Sequence, residues 1–267
     1  MARPRSSAPK LTARDREFLA QYDASVFARP SLTVDVVLLT LREGALTTLL
    51  VRRSVAPFQG AHALPGSFVG SHEGLDEAAA RVLAHECGLR NVFLEQLHAF
   101  GRIDRDPRTR VVSIAYYALV EAEKLERALA ARAGRAPESD RPAEELALAR
   151  LRAGERRGDG TLPLTLTAPT GQALRLAFDH EEIVAMAVAR LRDKLDDAPV
   201  GYQLLPERFT LLELMRVHET VLGRSLNKDS FRRRMLASGE LVALGEHQSD
   251  VGHRPAELFR FARRSAL

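Results

Sequence analysis

Tryptophan is absent from this chain of 267 residues, cysteine occurs once, and no long apolar run is present. The single Cys87 excludes an internal disulfide and is typical of a protein in a reducing compartment. No stretch of about eighteen apolar residues occurs, and no apolar segment follows the basic N-terminus, so the sequence predicts neither a membrane-spanning helix nor a signal peptide. We therefore expect a cytoplasmic protein without a membrane partner.

Lysine is also scarce, since only four of the 39 basic residues are lysine and the rest are arginine. The formal net charge is +4 and is unevenly spread, because residues 200–267 hold eleven Lys or Arg against eight Asp or Glu. This excess of positive charge favours nucleic acid over a membrane surface as a partner, without deciding the matter. The hydrophobic content of 45% is ample for a packed core, and the length suits one or two domains.

Strand patterns dominate the first part of the chain. Residues 1–14 are polar, basic and proline-containing, which indicates a flexible tail. Apolar and alternating runs then predict strands at 32–41, 46–53, 62–64, 95–101, 110–122 and 174–178, the first two joined by a turn at 42–45. Helix patterns occur at 75–87 and at 180–195. Strands on both sides of one helix, in this order, suit an α+β sandwich rather than a βαβ array.

Residues 123–173 differ in composition from the rest, being rich in Ala, Arg and Glu and interrupted by Gly and Pro. Within them, ELALARLRAG at 145–154 predicts a short helix. We interpret the remainder as an insertion or a flexible loop. Because Pro199 ends the 180–195 helix, the sequence predicts a first domain at 15–198 and a second domain at 199–267.

Helix-start patterns mark the second domain. Thr210 and Glu213 have the spacing of a capping box, in which the hydroxyl caps the third amide and the glutamate reaches back. This first helix stops at Gly223, and Asn227 is a good N-cap for a second helix that ends at Gly239. The helices are expected at 211–222 and 228–238, and short strands at 240–244 and 256–261. Helix, turn, helix and two-stranded wing is the order of a winged helix-turn-helix.

The second of these helices carries basic residues. Phe231 and Met235 share one face of its helical projection, as a core pair would, and the other faces are polar. A recognition helix in the major groove presents such side chains to phosphates and base edges, and a wing arginine reaches the backbone or minor groove. The candidate DNA-binding residues are therefore Lys228, Ser230, Arg232, Arg233 and, in the wing, Arg254. The alternative for an isolated run of three arginines is a merely solvated helix face.

Residues 66–89, GSFVGSHEGLDEAAARVLAHECGL, resemble the Nudix box, whose pattern is G-x5-E-x7-R-E-U-x-E-E-x-G-U with U aliphatic. Glu73, Arg81 and Glu86 match charged positions of the pattern. The departures are Ser67 in place of glycine, and Val82 and His85 in place of glutamates. The frame of the motif is therefore present, while part of its chemistry is missing.

These departures matter because cleavage of a diphosphate needs Mg²⁺ or Mn²⁺, held by oxygen ligands that share one helix face. Valine cannot ligate a metal, and a neutral imidazole is a poor ligand for Mg²⁺. Since Glu86 alone does not make a two-metal site, we expect no metal centre, no catalytic residue and no enzyme. The resemblance implies that Glu73 and Arg81 remain as a structural pair that braces the loop against the helix.

A degenerate Nudix box followed by a winged helix resembles the Nudix-related transcriptional regulators. The resemblance covers about 32–122 and 174–262, and it rests on fragments in a shared order at 57–60, 62–66, 105–108, 111–113, 177–183, 204–210, 231–233 and 252–256. It implies an α+β fold, with an N-terminal Nudix-like α/β/α sandwich followed by a C-terminal winged helix-turn-helix domain. It also implies a dimeric repressor of NAD-biosynthesis or related genes, associated with the nucleoid, that responds to ADP-ribose or a related nucleotide.

Such a nucleotide needs hydrogen-bond donors for its diphosphate and an aromatic surface for its base. The candidate ligand-binding residues are Arg53, Phe100, Arg102, Arg108 and His180. We expect no resident cofactor. The nucleotide is expected to shift the placement of the DNA-binding domains, with the helix at 180–195 transmitting the change.

Two alternatives remain open. An active hydrolase of ADP-ribose or similar nucleoside diphosphate sugars needs carboxylates from outside the box, such as Glu77, Asp104 or Asp106. A DNA-binding protein whose Nudix half is only a scaffold would ignore nucleotides altogether.

Overall fold

The computed structural model describes residues 11–133, 145–197, 200–249 and 255–262. The helices in these ranges are α1 (Ala13–Gln21), α2 (Leu75–Cys87), α3 (Ala122–Ala133), α4 (His180–Asp197), α5 (Leu211–Leu222) and α6 (Lys228–Ala237). The strands are β1 (Ser31–Arg42), β2 (Ala45–Arg52), β3 (His62–Ala63), β4 (Gly66–Phe68), β5 (Phe93–Phe100), β6 (Val111–Leu119), β7 (Glu145–Ala153), β8 (Leu164–Thr167), β9 (Ala173–Leu174), β10 (Phe209–Thr210), β11 (Leu241–His247) and β12 (Glu257–Phe261). None of these helices combines the length and the apolar character that are needed to span a bilayer.

The predicted hairpin at the start of the fold is formed by β1 and β2. Glu43 and Gly44, with φ of 50° and 69°, lie between the paired residues Arg42 and Ala45. Two successive residues with positive φ form the type I′ turn, whose twist matches that of an antiparallel pair. On its other edge β1 pairs with β6 in parallel, and the order of the sheet is β5-β6-β1-β2-β7-β8-β9, with β3 on β2 and β4 on β1.

Both faces of this sheet are covered by helices. Val36 and Leu38 on β1 pack in one hydrophobic cluster with residues of α2, whereas Val37 and Leu39 pack in a second cluster with residues of α4. All four side chains are fully buried. A strand that is buried on both faces needs no polar alternation, which explains the continuous apolar run at 36–39. The first half of the chain is therefore the expected α/β/α sandwich.

The predicted box helix at 75–87 is confirmed as α2. At its start the Glu77 carboxylate accepts a hydrogen bond from the Gly74 amide at 2.9 Å. At its end Gly88 adopts the left-handed conformation, with φ of 68°, that commonly terminates a helix. Its buried face consists of Ala78, Ala79, Val82, Leu83 and Cys87.

The prediction for 123–173 was wrong where the structure describes this segment. ELALARLRAG is not a helix, because its residues form β7, which pairs antiparallel with β2. Leu146 and Leu148 pack toward one helical layer and Ala149 and Leu151 toward the other. Apolar residues on both faces of a strand resemble a helical pattern, and pairing with β2 overrides the helix propensity of Ala, Leu and Arg. Together with α3 and β8, β7 places the described residues of this segment, 123–133 and 145–173, in the elements of the first domain, and residues 134–144 lie outside the described ranges.

The N-terminal tail is also shorter than predicted. Helix α1 begins at Ala13, and Thr12 caps it by accepting a hydrogen bond from the Asp15 amide at 3.2 Å. The Asp15 carboxylate accepts in return from the Thr12 amide at 2.8 Å. The tail expected at 1–14 therefore overlaps the start of α1 and its cap at residues 12–14, while residues 1–10 lie outside the described ranges.

The second half of the chain has the predicted order of a winged helix-turn-helix. The capping box is confirmed, because Thr210 Oγ1 accepts from the Glu213 amide at 3.2 Å and Glu213 Oε2 accepts from the Thr210 amide at 2.7 Å. Gly223 ends α5 with φ of 71°, and the Asn227 side chain caps α6 through the Ser230 amide at 2.9 Å. Strands β11 and β12 pair antiparallel as the wing, and β10 joins them on the other side of β12.

One hydrophobic cluster continues from the sandwich into the winged helix. It contains Leu191 and Leu195 of α4 together with Leu214 and Val217 of α5 and Phe231 of α6. The two halves are therefore packed against each other along α4 and α5.

We predict that Thr210→Ala lowers the free energy of unfolding by about 1 kcal/mol, the usual contribution of an N-cap side chain. Urea denaturation followed by circular dichroism measures this change. Thr170→Ala is the control, because Thr170 is an exposed threonine in a turn of the first half, outside the helices and their caps. An unchanged unfolding midpoint in Thr210→Ala would contradict the proposed stabilisation of α5.

Candidate functional site

A buried ion pair fixes the loop between β5 and β6. Arg105 donates two hydrogen bonds to Asp179, at 2.8 and 2.7 Å, and its guanidinium also lies 3.5 Å from Asp35 on β1. The side chains of Arg105 and Asp179 are each 3% exposed. Although burial disfavours the charged form, the carboxylates of Asp179 and Asp35 raise the pKa of Arg105. Ser113 donates a further hydrogen bond to Asp35.

His180, the first residue of α4, lies beside this ion pair and is buried. Its Nδ1 accepts a hydrogen bond from the Leu64 amide at 2.8 Å, and its Nε2 lies 3.7 Å from Asp35 Oδ1. Burial lowers the pKa of His180, in agreement with a neutral ring whose Nδ1 is an acceptor. The ring thereby attaches the strand before the box to α4, and the role of His180 in ligand binding stays a prediction.

Three phenylalanines and two arginines form a cluster next to His180, hereafter the aromatic cluster: Phe58, Phe68, Phe178, Arg53 and Arg108. The rings of Phe58 and Phe178 meet edge-on with centroids 4.9 Å apart, and the guanidinium of Arg53 lies 4.9 Å from the Phe178 centroid. Arg108 lies 5.7 Å from the centroids of both Phe68 and Phe178. Phe58 and Phe68 are about half exposed, at 45% and 49%.

The backbone at this cluster is strained. Phe58 and Phe178 have φ of 60° and 57°, a region that bulky residues rarely adopt. Such strain persists only where surrounding contacts impose it, and it concentrates at functional sites. Sequence reasoning noticed the fragments 57–60 and 177–183 but assigned no role to their aromatic rings, since positive φ at a phenylalanine has no signature in the sequence.

The arginines predicted as ligand donors differ in their surroundings. Arg53 donates to the carbonyl of Pro57 at 2.8 Å, and Arg108 makes a two-point contact with Asp106 at 3.0 and 2.7 Å. Hydrogen bonding from Arg108 lowers the pKa of Asp106. Arg102 is 60% exposed and pairs with Asp104 at 2.9 Å. Arg53 and Arg108 thus belong to the aromatic cluster, whereas Arg102 lies outside it.

Phe100 lies in the hydrophobic core at the end of β5. The residue is 6% exposed and belongs to the same hydrophobic cluster as Leu97 and Ile183. Its role in base stacking stays a prediction.

The predicted brace in the Nudix-like box is confirmed. Arg81 donates to both carboxylate oxygens of Glu73, at 2.9 and 2.6 Å, and to the carbonyl of Phe68 at 3.1 Å. Glu73 also accepts from the Gly70 amide at 2.7 Å. The hydrogen bonds from Arg81 lower the pKa of Glu73 to about 2. The pair therefore joins the loop after β4 to α2.

The other positions of the box differ in their surroundings. Val82 is 1% exposed and packs in the hydrophobic core, His85 is exposed, and Glu86 lies partly buried near the end of α2. Across the described ranges, no group of three or more His, Cys, Asp or Glu side chains is placed to hold a metal. The carboxylates that an active hydrolase would need from outside the box make other contacts. Glu77 caps α2, Asp104 pairs with Arg102, and Asp106 pairs with Arg108.

The predicted DNA-binding residues of α6 are each exposed to solvent. Lys228, Ser230, Arg232 and Arg233 are exposed, whereas Phe231 is 4% exposed and meets His218 of α5 edge-on at 5.0 Å. Phe231 thus attaches the helix to the core and leaves its basic face outward. Arg254, the predicted wing contact, lies outside the described residues.

The ion pair in the box leads to a prediction for pH. The pKa of Glu73 is lowered from 4.5 to about 2, so its carboxylate stays charged between these values. The stabilisation from the pair is fully present above pH 4.5 and is lost as the pH falls through about 2. NMR titration of the Glu73 side chain should show this low midpoint, and Arg81→Gln should return it toward 4.5. A midpoint near 4.5 in the parent protein would rule out the brace.

Comparison with known proteins covers both halves of the chain. Residues 201–261 match the model of the NrtR DNA-binding winged helix domain, and residues 29–157 match that of the NUDIX domain. The chain is 33% identical, over 93% of its length and 88% of the relative's, to the ADPR responsive transcriptional repressor NtrR of Acinetobacter baylyi.

Two solved structures are similar to the whole arrangement. Shewanella oneidensis NrtR, crystallised with a 27mer DNA, is 32% identical with a TM-score of 0.65, over 86% of this chain and 93% of that one. A MutT/nudix family protein from Enterococcus faecalis is 28% identical with a TM-score of 0.68, over 94% of each chain. Similarity of this extent, through both domains in one order, shows that the chain belongs to the NrtR family of Nudix-related regulators.

Proposed function

We propose that this protein is a transcriptional repressor that binds a double-stranded DNA operator and senses ADP-ribose or a related nucleotide through a catalytically degenerate Nudix domain. The observation that carries the proposal is the exposed basic face of α6 in a winged helix that follows a Nudix sandwich. The similarity to a repressor named as ADPR-responsive, over nearly the whole chain, supports the same function. As in the family resemblance, its targets are NAD-biosynthesis or related genes.

The DNA contact is assigned to the exposed face of α6. A helix that enters the major groove presents its N-terminal side chains to base edges and phosphates. Lys228, Ser230, Arg232 and Arg233 are exposed there, and Arg254 is kept as a candidate in the wing. We also infer a homodimer, which would hold two such helices at half-sites about 34–36 Å apart.

The nucleotide is assigned to the aromatic cluster. The half-exposed rings of Phe58 and Phe68 offer stacking surfaces to a nucleobase, and the Arg53 and Arg108 guanidinium groups lie beside them for a diphosphate. Arg102 remains a candidate donor at the exposed edge. His180 supports the cluster from beneath, through its contact with Phe178 at 5.3 Å.

Hydrolysis is not part of the proposed function. A sensor must bind its ligand without destroying it, and Val82 and His85 remove two of the carboxylates that diphosphate cleavage requires. Incubation with ADP-ribose and Mg²⁺ should therefore release no AMP. Release of AMP that disappears in Glu86→Gln would instead establish the hydrolase alternative.

We predict that the protein shifts DNA from the upstream region of NAD-biosynthesis genes in a gel-shift assay, and that ADP-ribose reverses the shift. Arg233→Ala should weaken operator binding and reduce the salt dependence, the slope of log K against log[salt], by about one unit, because one phosphate contact is lost. Arg127→Ala, an exposed arginine on α3, is the matched control and should bind normally. Unaltered binding by Arg233→Ala would remove α6 from the interface.

For the nucleotide site, we predict that Phe58→Leu weakens ADP-ribose binding by roughly tenfold, since stacking on an aromatic ring contributes about 1–3 kcal/mol per base. Isothermal titration calorimetry measures the dissociation constant. Phe27→Leu replaces another exposed phenylalanine outside the cluster and should leave the constant unchanged. Equal affinities in the two variants would place the base elsewhere.

A further inference from the structure

Helix α4 connects the aromatic cluster with the winged helix. It begins at His180, next to the Arg105–Asp179 ion pair, and it is buried along the sheet by Ile183, Val184 and Ala187. Its second half approaches α5, the first helix of the helix-turn-helix. A displacement at the start of α4 is therefore transmitted to the winged-helix half through a rigid helix.

One side chain of α4 holds three segments together. Arg192 Nε donates to the carbonyl of Val221 at 2.8 Å, in the last turn of α5. Its Nη1 donates to the carbonyl of Gly154 at 2.8 Å, and its Nη2 to the carbonyl of Ala153 at 3.1 Å, at the end of β7. The guanidinium thus contacts both the sandwich and the winged helix, and it places positive charge at the C-terminal end of α5, where the helix dipole favours it.

The end of α5 is shaped for this contact. Gly223 caps the helix with φ of 71°, and a Cβ atom there would lie 3.2 Å from Arg192 Nη2. A side chain at this position would therefore press on the guanidinium as well as strain the backbone. The absence of a side chain lets α5 approach Arg192 closely.

The hydrogen bonds of Arg192 are directional, whereas the apolar contacts of the surrounding core are not. Apolar burial is non-directional and roughly proportional to area, whereas a planar guanidinium with three carbonyl acceptors fixes distance and angle. On α5, His218 meets Phe231 of α6 at 5.0 Å, so the orientation of α5 sets that of the basic face.

We propose that Arg192 is the positioning residue through which the Nudix half sets the orientation of the helix-turn-helix, so that nucleotide occupancy changes operator affinity by way of this contact. This inference rests on the proposed function. It assigns the coupling between the nucleotide site and the DNA site to one side chain that contacts neither ligand.

The test measures the coupling from both sides. Operator affinity is determined by gel shift with and without saturating ADP-ribose, and ADP-ribose affinity by calorimetry with and without operator DNA. By linkage, the two ratios must agree, and couplings of this kind are typically about 5–150-fold. In Arg192→Gln we expect both ratios to fall to near one, while each ligand alone binds about as well as to the parent protein.

Two further variants separate coupling from folding. Arg192→Lys keeps the charge but cannot span the three carbonyls, so we expect an intermediate ratio with a normal unfolding midpoint. Arg190→Gln is the matched control, because Arg190 lies on the same helix with its side chain 40% exposed, and it faces Glu95 of β5 at 3.9 Å. It should keep the parent ratio.

Each outcome has one meaning. A parent ratio retained in both Arg192 variants overturns the role of Arg192 and leaves the proposed function intact. The same loss in Arg190→Gln as in Arg192→Gln also overturns it, since the effect would then belong to α4 as a whole. A parent protein that binds operator but ignores ADP-ribose overturns the proposed function, and the inference with it.

Discussion

The buried ion pair between Arg105 and Asp179 is the contact on which the Nudix half depends. Both side chains are nearly inaccessible to water, so each charge needs the other, and loss of one partner of such a pair typically costs about 3–5 kcal/mol. The pair holds the loop between β5 and β6 against the start of α4. Because Asp179 lies between Phe178 and His180, it also fixes the ring that Arg53 and Arg108 contact and the imidazole that attaches to Leu64. The contacts of Asp179 and His180 therefore surround Phe178, whose backbone is strained.

The Nudix-like box has a brace and an apolar face that hold it in the fold. Architecture requires Glu73 and Arg81 to connect the loop with α2, and it requires an apolar face toward the sheet, to which Val82 now contributes. Metal chemistry in such a box requires several carboxylates on one helix face, whereas the fold requires the brace and the apolar face. The fold and the metal chemistry of the motif therefore depend on different residues of one helix.

The packing of the two halves has a consequence for regulation. The sandwich and the winged helix share one hydrophobic cluster, and the guanidinium of Arg192 adds a directional contact across the same boundary. A change of shape in one half is thus opposed or favoured by the other, which is the physical requirement for coupling between two binding sites. Packed interfaces of this kind move between discrete arrangements rather than deform continuously.

Short stretches of sequence are sufficient to predict the elements whose stabilising contacts are local. The capping box of Thr210 and Glu213, the N-cap Asn227 and the helix at 75–87 are all predicted, because their hydrogen bonds join residues that lie within a few positions of each other. The Glu73–Arg81 brace was reached through the resemblance to a motif of fixed spacing. These patterns and their order were enough to place the chain in a family.

Other features depend on partners that are distant in the chain. The pattern at 145–154 predicts a helix because the apolar residues of β7 serve both faces of the sheet, and only pairing with β2 distinguishes a strand from a helix there. The burial of Phe100 beside α4 and the contacts of His180 with Leu64 and Asp35 are likewise decided by the tertiary structure. Phe58, Phe68 and Phe178 come from three segments of the chain, so the sequence does not predict that their rings form one cluster. Local hydrogen bonds and periodicity depend on residues that are close in the sequence. Burial and long-range strand pairing depend on residues from distant parts of the chain, which only the tertiary structure brings into contact.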